Sequence, residues 1–386
     1  MRPIFLGMCA ALLAWPVMAE IDVPILYLRQ EVDAPPTLSN LDSVPEDLGV
    51  AGAQVGLSDN LTTGGFMGHA YSLEVISVPV GGDLTAAAVG ALALSPFIIA
   101  DAPKDALLKI ADLAAPSGAL IFNVSAPEPS LRNDECRGIL FHTLPSNAMR
   151  TDALAQLLLK KRWQELVLIS GTYPADVAYA DALRRSLAKF GMKLTSEKTW
   201  AFDADMRRNA SQEVPLFTQE LGDYDALLVA DEIGDFGRYI LYNTWEPRPV
   251  VGSEGLSAVA WSPVVEQWGA AQMQSRFQDA AGRPMLSKDY AAWAAVRAIG
   301  EAVTRTNSNE LGALREYLLS DSFELGGFKG RPLTFRTWNG QLRQPIPLVH
   351  PRALVTQAPL EGFLHQRTEL DTLGLDEPES ACNAFD

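Results

Sequence analysis

The side chains able to do chemistry in this 386-residue chain gather where short apolar runs stop. Phe97–Ala100 stops at Asp101, Ala119–Val124 at Ser125, and Leu166–Ile169 at Ser170, followed by Thr172 and Tyr173. Ala226–Ala230 stops at Asp231 and Glu232, and Val250–Gly252 at Ser253 and Glu254. Hydroxyls and carboxylates at the carboxyl ends of parallel strands are the groups that an α/β sheet offers to a ligand. Each alone also suits strand-end solvation or helix capping, and Asp231 and Glu232 in particular suit a hinge or cap facing water. Together they point into one cleft.

Catalytic constellations are missing. The sequence holds no G-x-S-x-G elbow, H-E-x-x-H, C-x-x-C, phosphate loop or dinucleotide fingerprint. Its four histidines, His69, His142, His350 and His365, are far apart, with no nucleophile and base at motif spacing. Two acids facing across a cleft could perform acid–base work, yet no motif positions a substrate for them. The chain is therefore read as a binding protein, not an enzyme, and no resident cofactor is expected.

The elements that must hold these residues alternate in period. Candidate strands Val23–Leu28, Leu73–Val78, Phe97–Ala100 and Ala119–Val124 are interleaved with helical stretches at Ala86–Leu94 and Lys104–Ala114. A second series runs Leu166–Ser170, a helix on Leu183, Leu187 and Phe190 ending at Gly191, Leu194–Trp200, a polar helix through Leu221, Ala226–Ala230, a helix from about Phe236 to Asn243, and Pro249–Gly252. Such alternation predicts two doubly wound parallel sheets. The helix Ser146–Arg162 leads from one to the other. Beyond Gly252 a helical region passes Trp268 and Phe277, pauses at Gly282–Pro284 and resumes from Asp289 on the stripe Ala295, Ile299, Ala302, Val303. A hairpin of Leu333–Arg336 with Ile346–Val349 around Trp338–Asn339–Gly340 follows. The expected division is 20–145 with about 265–350 as an N-terminal lobe, 146–264 as a C-terminal lobe, and 351–386 as an acidic, partly extended tail. A ligand cleft lies between interleaved lobes.

Residues 1–19 read as a signal peptide: Arg2, an apolar core from Ile4 to Trp15, and Val17-Met18-Ala19 before the cut. An N-terminal anchor is the alternative. With 31 Lys and Arg against 47 Asp and Glu, the net charge is −16, the wrong sign for neutralising phosphates, so nucleic acid is excluded as a partner. The expected compartment is the periplasm. Cys9 leaves with the signal, and Cys136 and Cys382 then most simply form one disulfide in an oxidising compartment, two unpaired thiols being the alternative.

Several stretches carry a family likeness: IFNVSAPEP (121–129), FHTLPSNAMRTDALAQLL, VLISGTYPADVAYADALRRSL, ALLVADEIGDFGRYI, VVGSEGL, DYAAWAAVRAIGEAV and GFKGRPLTFRTWNGQLRQPIPL. In this order they resemble the type I periplasmic substrate-binding proteins of ABC transporters, the branch with the branched-chain amino acid binders. With LRNDECRG and DEPESAC added, the chain is similar to the binding proteins encoded with PQQ-dependent alcohol dehydrogenase systems. The resemblance implies a ligand-binding set of Ser125, Ala126, Tyr173 and Glu254, with Pro127 where a hydroxyl residue is usual. At Asp231–Glu232 this chain departs from the family's aromatic or small residues, and with Asp101 these acids complete the expected pocket. Excess negative charge in a cleft asks for a cationic organic ligand or a hard metal ion with oxygen ligands. A monomeric receptor working with an inner-membrane ABC permease is implied. A sensor or delivery factor for the dehydrogenase system, binding a cofactor or metal without transport, is the other reading.

Overall fold

The computed structural model describes residues 21–33, 44–201 and 206–385, with backbone alone at 206–208; the expected signal segment lies outside the described residues. In chain order the elements of the first half are β1 (Ile21–Gln30), α1 (Val50–Met67), β2 (His69–Val78), α2 (Leu84–Leu94), β3 (Phe97–Asp101), α3 (Lys104–Ala114), β4 (Leu120–Asn123) and β5 (Leu140–His142). Next come α4 (Asn147–Lys161), β6 (Glu165–Ser170), α5 (Pro174–Lys189), β7 (Lys193–Thr199), α6 (Met206–Thr218), β8 (Ala226–Ala230), α7 (Gly237–Ile240), β9 (Val250–Gly252) and β10 (Ser257–Ala258). The chain continues through α8 (Ala270–Ala281), α9 (Ser287–Thr306), α10 (Leu311–Leu318), β11 (Leu325–Gly326), β12 (Pro332–Phe335), β13 (Leu342–Arg343), β14 (Ile346–His350) and β15 (Ala353–Ala358).

Two parallel sheets organise the chain, ordered β2-β1-β3-β4-β5 and β7-β6-β8-β9. Both bury two faces, so their central strands are continuously apolar instead of alternating. In β1, Ile25 and Tyr27 join the core under α1 and α9, while Leu26 and Leu28 join the core under α2 and α3. In β6, Leu166 and Leu168 face α4 and α5, while Val167 and Ile169 face Val214 of α6 and Ile240. Successive side chains point to opposite faces, and each face finds a helical layer.

The two sheets are joined three times. Phe141 belongs to the first core and Met149 to the second; Ala258 to the second and Ala260 to the first; Leu342 to the first and Ile346 to the second. Each crossing is only a few residues long.

Helix α1 has no apolar stripe to announce it, yet it packs along α9. A Cβ at Gly52 would stand 1.9 Å from the Asp289 carbonyl oxygen, and one at Gly56 would stand 3.0 Å from Val296. Missing side chains let the two helices approach, so α1 is held by contact and not by amphipathicity. Two expectations change here. Ile346–His350 does not pair with the 333–336 strand: β12 pairs with β13, while β14 pairs with β10 and β15. Leu342–Arg343 sits nearer the turn and takes the hairpin position, which sends β14 on to the second core with Leu348, Ala358 and Leu360. Trp268 lies before α8, in a loop with positive φ, not inside a long helix.

The tail, expected to be partly extended, enters the core. Leu370, Asp371 and Leu373 are buried, and Leu373 joins the second core. Arg336 and Arg343 both donate to Asp371, and Arg336 also donates to the carbonyls of Leu373 and Leu375. Cys136 and Cys382 form a disulfide.

Candidate functional site

Strand ends of both sheets face a cavity of about 350 Å³. Val124, Ser125 and Pro127 line it after β4, Leu144 and Pro145 after β5, Glu232 after β8, and Ala258–Ala260 at the second crossing. Three further lining side chains, Arg150, Ser287 and Lys288, come from the first turns of α4 and α9.

Local chemistry sets each of these. Ser146 caps α4 by accepting from Met149 N–H at 3.2 Å, which starts the helix and brings Arg150 round one turn later. The Asp289 carboxylate accepts from Leu286 N–H at 3.0 Å and holds Arg283, fixing the start of α9 and thus Lys288. Beyond β4 the turn is organised by Asn123, whose Oδ1 accepts from both Ser125 N–H (3.1 Å) and Ala126 N–H (2.8 Å). Its amide in turn donates to the Ala126 carbonyl.

Electrostatically the wall is dominated by two ion pairs. Arg150 meets Glu232 through two bonds, Nη1 to Oε2 at 2.5 Å and Nη2 to Oε1 at 3.0 Å. Glu232 accepts a third bond from Ser253 Oγ, and Arg150 spends its Nε on the Ala258 carbonyl. Lys288 Nζ donates to Asp101 Oδ1 at 2.9 Å, and Tyr27 donates its hydroxyl to the other Asp101 oxygen at 3.0 Å. Burial, with Asp101 beside it, pushes the Tyr27 phenol well above its ordinary range.

The expected site residues divide into two groups. Ser125 and Glu232 line the cavity, and Asp101 lies behind it holding Lys288. Ala126 is buried with its N–H and carbonyl already spent, and the Ser125 hydroxyl is engaged with the backbone of Ala102. Tyr173, Asp231 and Glu254 are not on the cavity wall. Tyr173 is the N-cap residue of α5 and is 40% exposed. Asp231 accepts from the N–H groups of Asp235, Phe236 and Gly237 at 2.6–2.9 Å, a capping role for α7. Glu254 packs on Gly237, where a Cβ would be 2.5 Å from its Cγ. Burial and then the Asp231 charge lift the Glu254 carboxyl above its ordinary range.

The charge argument for a cationic ligand is corrected by these pairs. It needs free carboxylates on the wall, and Glu232 is neutralised by Arg150 while Asp101 is neutralised by Lys288. No group of three His, Cys, Asp or Glu side chains among the described residues is placed to hold a metal ion. Reasoning from the sequence missed Arg150 and Lys288. Their only signal is that each follows a helix start, after Pro145-Ser146 and after Pro284 respectively.

Neither a protein-family model nor a curated protein matches this chain. Solved structures do match it. A branched-chain amino acid ABC transporter periplasmic ligand-binding protein from Burkholderia xenovorans aligns with a TM-score of 0.71 at 15% identity, over 95% of this chain and 100% of that one. A periplasmic binding protein from Burkholderia mallei aligns at 0.68 and 13% identity, over 95% and 99%. A solute-binding protein of an ABC transporter from R. palustris, in complex with benzoate, aligns at 0.65 and 13%, over 95% and 100%. The fold is thus the mixed α/β fold of type I periplasmic binding proteins, the one that the resemblance of the sequence stretches implied, and its parallel sheets are those expected from the alternating strands and helices.

Proposed function

We propose that this chain is a periplasmic solute receptor that closes its two sheet units on a small ligand and serves an ABC-type permease. The observation that carries the reading is the 350 Å³ cavity at the strand ends, walled by both units and by two of the three crossings. A ligand touching both walls makes contacts in the closed form that the open form lacks, and that difference shifts the population toward closure. The fold neighbours named above include ABC transporter ligand-binding proteins, which supports this reading.

In this reading the first unit comprises residues 20–145 with about 260–345. The second comprises 146 to about 259 with the strands and tail from 346 to about 373, whose side chains pack in its core. The working form is a monomer. Association with PQQ-dependent alcohol oxidation, as a transport receptor or as a sensor or delivery factor, rests on the resemblance of the sequence stretches alone.

Thermal shift and small-angle scattering on the chain from Glu20 onward test the proposal together. A bound solute at a hundred times its dissociation constant adds about 2.7 kcal/mol and raises Tm by several degrees, and the radius of gyration falls on closure. A panel of amino acids, organic acids, alcohols, amines, PQQ and calcium or lanthanide salts that leaves both readings unchanged overturns the reading.

A further inference from the structure

We infer that the cleft takes a small carboxylate that carries no ammonium group, its carboxylate held by Lys288 and its body by the apolar walls. This rests on the reading of the chain as a solute receptor and specifies its substrate class.

An α-amino acid needs two opposed charge sites, and the cavity lacks the second. The carboxylates that could face an ammonium are Glu232, bonded twice to Arg150 and once to Ser253, and Asp101, buried behind Lys288. Moving an ammonium onto Glu232 would displace a guanidinium that it meets in a planar fork. Glu254 is not on the wall.

The backbone donors that would hold a ligand carboxylate after β4 are also spent. Ser125 N–H and Ala126 N–H both go to Asn123 Oδ1, and Pro127 has no N–H to give. Donors remain at Lys288 and at Ser287, whose hydroxyl accepts from the Ala260 and Trp261 N–H groups and keeps its own hydrogen. The Lys288 ammonium has three N–H bonds, of which one goes to Asp101, and its side chain is 33% exposed on the cavity wall. Glu232 is satisfied by Arg150, whereas Lys288 is balanced by Asp101 behind the wall and still has two N–H bonds to offer a ligand. The rest is apolar: Val124, Pro127, Leu144, Pro145, Val259 and Ala260. An anionic head beside Lys288 and an uncharged body against these residues fits both halves.

Two matched series decide it by calorimetry and scattering on the intact mature chain. The first is leucine, 4-methylpentanoate, 4-methylpentan-1-ol and 4-methylpentylamine; the second is phenylalanine, 3-phenylpropanoate, 3-phenylpropan-1-ol and 3-phenylpropylamine. Within a series the skeleton stays and only the charged groups change. The carboxylate is expected to bind at least tenfold more tightly than the amino acid, alcohol or amine. Lys288→Met should weaken it at least tenfold and Lys288→Arg should restore most of the loss. Because Lys288→Met leaves Asp101 unpaired, the double variant Lys288→Met/Asp101→Asn serves as a folded control and must show the same weakening. Tightest binding by the amino acid, alcohol or amine, with compaction, overturns the carboxylate assignment and leaves the receptor reading standing. Unchanged carboxylate affinity in the double variant also overturns it. Silence from both carboxylates overturns it too, and the wider panel described above then decides the receptor reading separately.

Discussion

Arg150 and Glu232 join the start of α4 to the end of β8 by two hydrogen bonds, and each side chain keeps only 18% of its surface. The pair sits on the cavity wall but serves the architecture of that wall, since Arg150 also lies 4.6 Å from the centre of the Tyr179 ring and donates to the Ala258 carbonyl at a crossing. Its removal therefore tests packing and ligand access together.

Glu232→Ala leaves the Arg150 guanidinium uncompensated and is expected to cost about 3 kcal/mol of unfolding free energy. Arg150→Met/Glu232→Leu, which removes both charges, should recover more than half of that loss. Urea denaturation of the three proteins checks it, and a double variant no better than the single one contradicts the account.

Asp231 and Glu254 separate cap from pocket. Asp231→Ala strips the acceptor from three backbone N–H groups at the start of α7 and should cost about 1–2 kcal/mol. Glu254→Gln removes a half-buried carboxylate that burial and Asp231 both disfavour, and should raise Tm slightly at pH 7.5. Neither should change the affinity of a cleft ligand more than twofold, as titration calorimetry would read.

Asp176 makes stability depend on pH. Burial, with Asp231 and Glu232 adding to it, lifts its carboxyl to about 6, although the N–H groups of Glu232 and Tyr173 pull the other way. A carboxyl raised in the folded state holds its proton more tightly there than in the unfolded chain. Its ionisation then costs stability as pH rises from about 4 to 6, and the cost is complete above that window. Asp176→Asn should gain Tm relative to the parent progressively across pH 4.5, 5.5 and 7. A difference that is flat with pH contradicts the assignment.

The disulfide closes 246 residues and ties the tail to the first unit, while hydrogen bonds hold the tail to the second. On one side Gly374 N–H donates to Asp152 and Lys189 bonds the Gly374 carbonyl; on the other Ala381 N–H meets Asn133 and Phe385 packs edge-on against Phe141. Cys136→Ser/Cys382→Ser should lose about 2–5 kcal/mol in denaturant unfolding, and limited proteolysis should cut it beyond Leu375. A double variant as stable and as protected as the parent contradicts this.

Fold class was readable because buried parallel strands leave a signal that needs no partner: continuous apolar runs separated by helical periods. Helix α1 and the three-residue β5 were not readable. Glycines at 52 and 56 weaken a helix by themselves and make sense only against α9. The pairing of β12 with β13 was likewise hidden, because two candidate partners lie within fifteen residues and only the second core decides between them.

For the site, sequence alone determined which positions stand at strand ends, since the carboxyl end of a buried parallel strand is set by where the apolar run stops. Tertiary structure decided what those positions are for. Asp231 turned inward to cap α7, Asn123 consumed the loop amides, and Arg150 and Lys288 arrived from helices distant in sequence to neutralise Glu232 and Asp101. The reason is physical: a carboxylate's charge belongs to its strand, but whether that charge is free depends on a cation brought within 3 Å by folding, and no local pattern encodes that approach.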